Sequence, residues 1–214
     1  MDYFAGIRNS LLDKQPLNSQ ILGIGGSPRK GGNSDMLLQH VLQGARESYA
    51  VIENAHLRDI QFQSCIGCEK CRKDKICTGL QDGMSLLYPK VVAAKGLVLV
   101  SPTHNYNITA LMKAFIDRLY CLYNFDNKNR PGEWSSQLDG QGRKAVIVAV
   151  CEQETRKDMG FTLDAMRLPL EALGYEVTNE LAVFNVFSKG KVKEKTEILT
   201  QATNLGTVLA KSVA

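Results

Sequence analysis

The sequence predicts an α/β fold in which five strands alternate with helices in a doubly wound parallel sheet. Three observations predict it. Short, wholly apolar runs such as Gly96-Leu-Val-Leu-Val-Ser101 recur along the chain, and a continuous run of this kind suits a parallel strand covered on both faces. Amphipathic stretches with helical spacing separate those runs. The first run ends in glycines and leads straight into a helical pattern, the order expected of strand, loop and helix in such sheets.

Residues 20–25 predict the first strand and 34–46 the helix that follows. Residues 50–57 read as the second strand, and the cysteine-bearing stretch after it as a loop. A helix over 84–94 leads to the third strand, 96–101. Residues 110–123 predict a patterned helix, with Leu111, Met112, Phe115, Ile116, Leu119 and Leu122 on one side. The fourth strand is expected at 145–150. A helical region spans 157–173, with Pro169 as its kink or restart. The fifth strand falls at 176–184, and a closing helix over 192–211 aligns Ile198, Ala202, Leu205 and Leu209. Residues 1–19 read as an extension before a domain covering 20–214. The polar connection 124–141, which holds the single tryptophan Trp134, is long for a simple loop.

Bulk properties narrow the function classes. A chain of 214 residues suits one domain with a real core. The formal charge is +4, with basic residues dispersed rather than clustered with aromatics, so nucleic-acid binding has no support. The apolar runs are too short to cross a membrane. The amino terminus lacks the pattern of a signal peptide, so a cytoplasmic protein is expected, where a structural disulfide is disfavoured.

Two segments carry chemistry. The loop Gly26-Ser27-Pro28-Arg29-Lys30-Gly31-Gly32-Asn33-Ser34 lies beyond the carboxyl end of the first strand, where ligands bind in open α/β sheets. Its glycines let backbone approach an anion, and the helix opening at Asn33-Ser34 offers unpaired N–H groups to a phosphate. Ser27, Asn33 and Ser34 add donors and Arg29 adds charge. The pattern is neither G-x-G-x-x-G nor a Walker A loop. The second segment, Cys65-Ile-Gly-Cys68-Glu-Lys-Cys71-Arg-Lys-Asp-Lys-Ile-Cys77, has spacing C-x2-C-x2-C-x5-C. Four thiolates this close suit a four-thiolate iron–sulfur cluster, Zn²⁺ or a redox-active dithiol. Because the loop follows the second strand, it is expected on the same sheet edge as the phosphate loop. Cys121 reads as a core residue. Cys151, at a strand end, suits packing or the binding edge.

A third motif, Ser101-Pro-Thr-His-Asn-Tyr-Asn-Ile-Thr-Ala-Leu-Met-Lys-Ala-Phe-Ile-Asp-Arg118, joins the other two in chain order. Together they resemble the flavodoxin-like NAD(P)H-dependent FMN reductases, and among these the cysteine-bearing iron–sulfur flavoproteins. The resemblance implies a flavodoxin-like three-layer fold of sheet order 2-1-3-4-5, bound FMN, and a homodimer or homotetramer. It implies that Ser27, Arg29, Asn33 and Ser34 bind the FMN phosphate, and that Pro102, Thr103, His104, Asn105, Tyr106 and Asn107 wrap the isoalloxazine ring. His104 has a possible tuning role, and no side chain is expected to be catalytic. Many relatives resemble Pro-Val-Tyr-Phe-Gly in that loop, so Tyr106 replaces a glycine here. Lys113, Asp117 and Arg118 match the helix signature, with structural roles expected. Cys65, Cys68, Cys71 and Cys77 would hold a [4Fe–4S] cluster or remain free thiols. The implied activity passes electrons from NAD(P)H to a quinone, flavin or protein acceptor. Its alternatives are an electron carrier for ferredoxin-like partners and a thiol or metal redox sensor.

Overall fold

The computed structural model describes residues 21–126, 128 and 132–214. The expected extension 1–19 lies outside the described residues. The elements are β1 (Ile21–Gly25), α1 (Asn33–Glu47), β2 (Ile52–His56), α2 (Lys70–Asp74), α3 (Met84–Ala93), β3 (Gly96–Pro102), α4 (Ala110–Arg118), β4 (Tyr123–Phe125), β5 (Trp134–Ser136), β6 (Arg143–Val150), α5 (Arg156–Met159), α6 (Asp164–Ala172), β7 (Tyr175–Val183) and α7 (Thr196–Ser212).

Five strands pair in parallel in the order β2-β1-β3-β6-β7. This is the expected doubly wound topology, with the strand order reversing between β1 and β3. The third strand shows why its sequence is apolar throughout. Leu97 and Leu99 pack with Phe115, Met84 and Met166 from α4, α3 and α6. Val98 and Val100 point the other way, to Leu38 and Val41 of α1 and Leu209 of α7. Both faces are covered, so neither set of alternating positions tolerates polarity. On the second face α1 and α7 touch backbone to backbone. A Cβ at Gly44 or Gly206 would collide with the carbonyl of Thr203 or Val41.

Three predicted elements differ. The helix expected over 110–123 is α-helical only to Arg118, then tightens into a 3-10 turn, Leu119–Leu122. The helical region 157–173 breaks at Gly160, which adopts φ +58, and not at Pro169, which lies inside α6. A proline costs an α-helix one N–H bond, whereas the turn at Gly160 needs a left-handed residue with no side chain, since a Cβ there would strike Tyr106. The connection 124–141 contains a hairpin: β4 and β5 pair antiparallel, with Phe125 opposite Trp134. Its cross-strand aromatics explain the element, and their short range hid it among polar residues.

Candidate functional sites

The first site opens where β1 and β3 diverge. A cleft there is lined by Ser27, Pro28, Arg29, Gly32, Asn33, Ser34, Pro102, Thr103 and His104, together with Val150, Glu152, Val186, Phe187 and Lys189. All four loops after β1, β3, β6 and β7 contribute. The phosphate loop is fixed from beneath. Gly31 takes φ +66, and its N–H donates to the Asp35 carboxylate at 2.7 Å. Asp35 is buried and pairs with Arg58, whose guanidinium also donates to the Ser27 carbonyl at 3.1 Å. His56 stands 3.4 Å from the same carboxylate. Arg58 and Asp35 thus shape the loop without lining the cleft. The sequence offered no signal for them, because they meet only when β2 lies beside β1.

Helix α1 starts in this cleft behind Gly32, and no side chain caps it. Its uncapped start lies at a cleft lined by buried Ser27 and Ser34, and unpaired N–H groups at such a start suit an anion. Arg29 lies over the Phe187 ring at 4.8 Å and donates to the Phe187 carbonyl at 3.2 Å. Asn33 lines the cleft, but its side chain is engaged elsewhere. Its amide donates to the Ser188 carbonyl at 3.0 Å and its oxygen accepts from Val192 N at 3.2 Å. It therefore ties the loop after β7 to α1. Glu152, Phe187 and Lys189 were missed by sequence reasoning; their place after β6 and β7, at the carboxyl edge, was the available signal.

The loop after β3 closes on itself. His104 and Asn107 exchange backbone hydrogen bonds of 2.8 and 3.1 Å around a two-residue turn. Asn105 and Tyr106 adopt φ 52 and 65, the type I′ geometry that favours glycine at its second position. Tyr106 takes that second position here. Tyr106 is 60% exposed, and its carbonyl accepts from Phe161 N at 2.8 Å. Thr103 reaches Thr162 at 3.0 Å. Thr109 caps α4 and donates to the Gly26 carbonyl at 2.7 Å, joining the two loops.

The four cysteines of the second site converge. Cys65, Cys68, Cys71 and Cys77 line one cavity of about 260 Å³ with Leu80, Asp117, Arg118 and Tyr120. All four are free thiols. Burial, then the neighbouring Cys77, Cys65 and Cys68, push the Cys71 thiol up to about 11. A Cβ at Gly79 would collide with the Cys68 sulfur, so this glycine makes room for that sulfur. Among the described residues no three His, Cys, Asp or Glu side chains gather closely enough for one metal ion. Cys71 sits on the short helix α2, which the sequence reading took as loop.

The cysteine loop leaves the sheet at the expected edge but does not stay there. Its pocket is built on the C-terminal end of α4, whereas Thr109 at the other end of α4 holds the first site. The nine-residue helix rises roughly 13 Å between them. The loop is expected on the same sheet edge as the phosphate loop; it starts there and is long enough to fold down the helix, where its apolar residues Ile60 and Phe62 pack on that core. The hairpin supports it from outside. Arg72 of α2 lies 4.2 Å over the Phe125 ring and donates to the Tyr120 hydroxyl at 3.1 Å. Cys121 is buried behind the cavity. Burial, then Cys77 and Cys71, push its thiol up to about 12. Cys151 packs in the core and does not line the cleft.

A family model described as NADPH-dependent FMN reductase matches residues 19–153. An iron–sulfur flavoprotein of Methanosarcina thermophila is 33% identical over 115 residues, 53% of this chain and 60% of that protein. Another from Archaeoglobus fulgidus is 36% identical over 98 residues, 46% of this chain and 44% of that protein. The chain thus spans about half the length of these curated relatives. An FMN-dependent NADH-azoreductase of Bacillus anthracis, solved with FMN, superposes with a TM-score of 0.65 at 18% identity, covering 92% of this chain and 99% of that one. At that identity the likeness establishes the fold, a flavodoxin-like three-layer α/β sandwich.

Proposed function

The chain belongs to the NADPH-dependent FMN reductase family, and on that premise we propose that it is an FMN-dependent oxidoreductase using NAD(P)H as donor. Its acceptor is a quinone, a flavin or a protein. The observation that carries this reading is the cleft at the strand reversal, where the uncapped start of α1 meets buried Ser27 and Ser34. The N–H groups of α1, the two hydroxyls and Arg29 hold the phosphate. Asn33 positions the loop instead of donating to the ligand. Pro102, Thr103, His104, Asn105, Tyr106 and Asn107 flank the ring, with the 104–107 turn at the exposed rim. FMN bound there would supply hydride acceptance from a nicotinamide and electron transfer onward in one- or two-electron steps. The protein supplies orientation and charge rather than an acid or base, and His104 tunes the ring's surroundings.

Cys65, Cys68, Cys71 and Cys77 hold a [4Fe–4S] cluster in this proposal, which supplies one-electron transfer. The names of the curated relatives and the convergence of the four thiols on one cavity support it. Exposed Cys65 and Cys68, rimmed by exposed Lys70 and Lys73, favour a second reading, an electron carrier meeting a ferredoxin-like protein. Exposed Tyr106, Phe161 and Phe187 support assembly as a homodimer or homotetramer. Among the described residues no helix is long and apolar enough to cross a membrane.

Anaerobic reduction of the purified protein tests the reading. Bleaching of the flavin band by NADPH or NADH supports the reductase. Bleaching only by reduced ferredoxin or dithionite replaces it with the carrier.

A further inference from the structure

The neck of the cysteine loop is closed by one cation. Arg118, at the end of α4, is only 2% exposed. Its Nη1 donates to the Gln63 carbonyl at 2.8 Å and to Asp82 Oδ2 at 2.7 Å. Its Nη2 donates to Asp82 Oδ1 at 3.0 Å, and Nε to the Tyr88 hydroxyl at 3.2 Å. Gln63 precedes the four cysteines and Asp82 follows them. Asp82 in turn accepts from Gln63 N at 3.0 Å and Met84 N at 3.1 Å. The remaining Nη2 proton is directed at Cys77 Sγ, 3.6 Å away. All five guanidinium donors then have partners, and the fork on Asp82 leaves the group no freedom to swing.

We propose that Arg118 is a positioning and charge-balancing residue of the four-cysteine centre, holding the loop neck and donating a hydrogen bond to the Cys77 sulfur. The inference rests on the cluster reading above and adds to it a residue that sets how easily the centre accepts an electron. A donor to a ligating sulfur stabilises the more negative, reduced state and so raises the potential. Lys70 and Lys73 also lie near the centre, but they are exposed and screened by water and salt. Arg118 is buried, so water and salt screen its field at the sulfur far less. Asp82 opposes it, since its negative charge partly cancels the guanidinium.

The two residues therefore predict shifts of opposite sign, which a purely structural role does not. The test is redox titration of anaerobically purified, iron-loaded protein, following iron-centre and flavin absorbance separately, for wild type, R118Q, R118K and D82N. R118Q is expected to move the iron-centre midpoint to more negative potential and leave the flavin midpoint in place. R118K, which keeps charge but loses the fork, is expected to shift it less. D82N is expected to move it to more positive potential. An iron-loaded R118Q with the wild-type midpoint overturns the inference alone; if R118Q does not fold, an unshifted D82N overturns it. Wild-type protein without iron after iron-replete anaerobic expression overturns the cluster reading, and this inference with it.

Discussion

The phosphate loop and the cysteine loop leave neighbouring strands, β1 and β2, yet their shapes are held in opposite ways. In the phosphate loop the left-handed residue is a glycine, Gly31, and its N–H is bound by a carboxylate that Arg58 anchors. The cysteine loop has one left-handed glycine, Gly67 at φ 65, and adds two non-glycine residues in that conformation, Glu69 at φ 56 and Lys75 at φ 61, on either side of α2. Each costs roughly 1–2 kcal/mol. Its interior gathers four sulfurs whose mutual repulsion adds to burial in disfavouring the Cys71 thiolate. The first loop is preorganised before its ligand arrives. The second is clasped at the neck and strained within, so binding of a metal group would offset its cost, as metal binding does when coupled to folding.

On the proposed cluster reading, the largest effect that distinguishes the loops is metal loss. Serine at Cys65, Cys68, Cys71 or Cys77 is expected to remove most of the iron and leave FMN stoichiometry unchanged, read by iron analysis and flavin absorbance. Joint loss of iron and FMN would show the loops to be one unit. Next comes the clasp. Asp82→Ala leaves Arg118 buried without its carboxylate and is expected to cost about 3–5 kcal/mol in denaturant unfolding. The same pair predicts a pH dependence. Burial raises the Asp82 carboxyl, but hydrogen bonds from Arg118 and from Gln63 and Met84 N–H outweigh it, so its pKa is held below the ordinary 3.8. Its contribution is present above that value and is lost as pH falls through the lower, folded-state value. Acid should therefore loosen the cysteine loop, seen as faster amide exchange in 63–82.

The phosphate loop responds through affinity. FMN should bind about 100-fold more tightly than riboflavin, roughly the 3 kcal/mol of two charge-assisted hydrogen bonds; equal affinities by titration would remove the phosphate assignment. Asp35→Asn weakens the support under Gly31 without touching the ligand, and a drop of about tenfold in FMN affinity is expected, roughly 1.4 kcal/mol. The smallest change sharpens the contrast in backbone strain. Lys75→Gly should stabilise iron-free protein by about 1 kcal/mol, with little gain from the same change at a position of ordinary φ.

Much of this was legible in the chain. Apolar runs marked the three central strands of the main sheet, because a strand buried on both faces allows few polar residues in either register, whereas the edge strands β2 and β7 carry polar residues among their apolar ones. The glycines of the first loop and the tight cysteine spacing marked both sites, because those features act over a few residues. Local sequence could not supply Arg58 beneath Ser27, Lys189 at the cleft rim, Gly79 against Cys68, or Arg118 between Asp82 and Cys77. Nor could it place the cysteine pocket at the far end of α4 from the phosphate cleft. Periodicity and spacing report which residues share a face or a turn, and so the sequence by itself determined the layers and the identity of the two loops, while the strand order was implied by the family resemblance. Only the tertiary structure decided what lies against each loop, because a buried charge takes its partner from whichever segment packing brings within hydrogen-bonding distance, and that segment is distant in the chain.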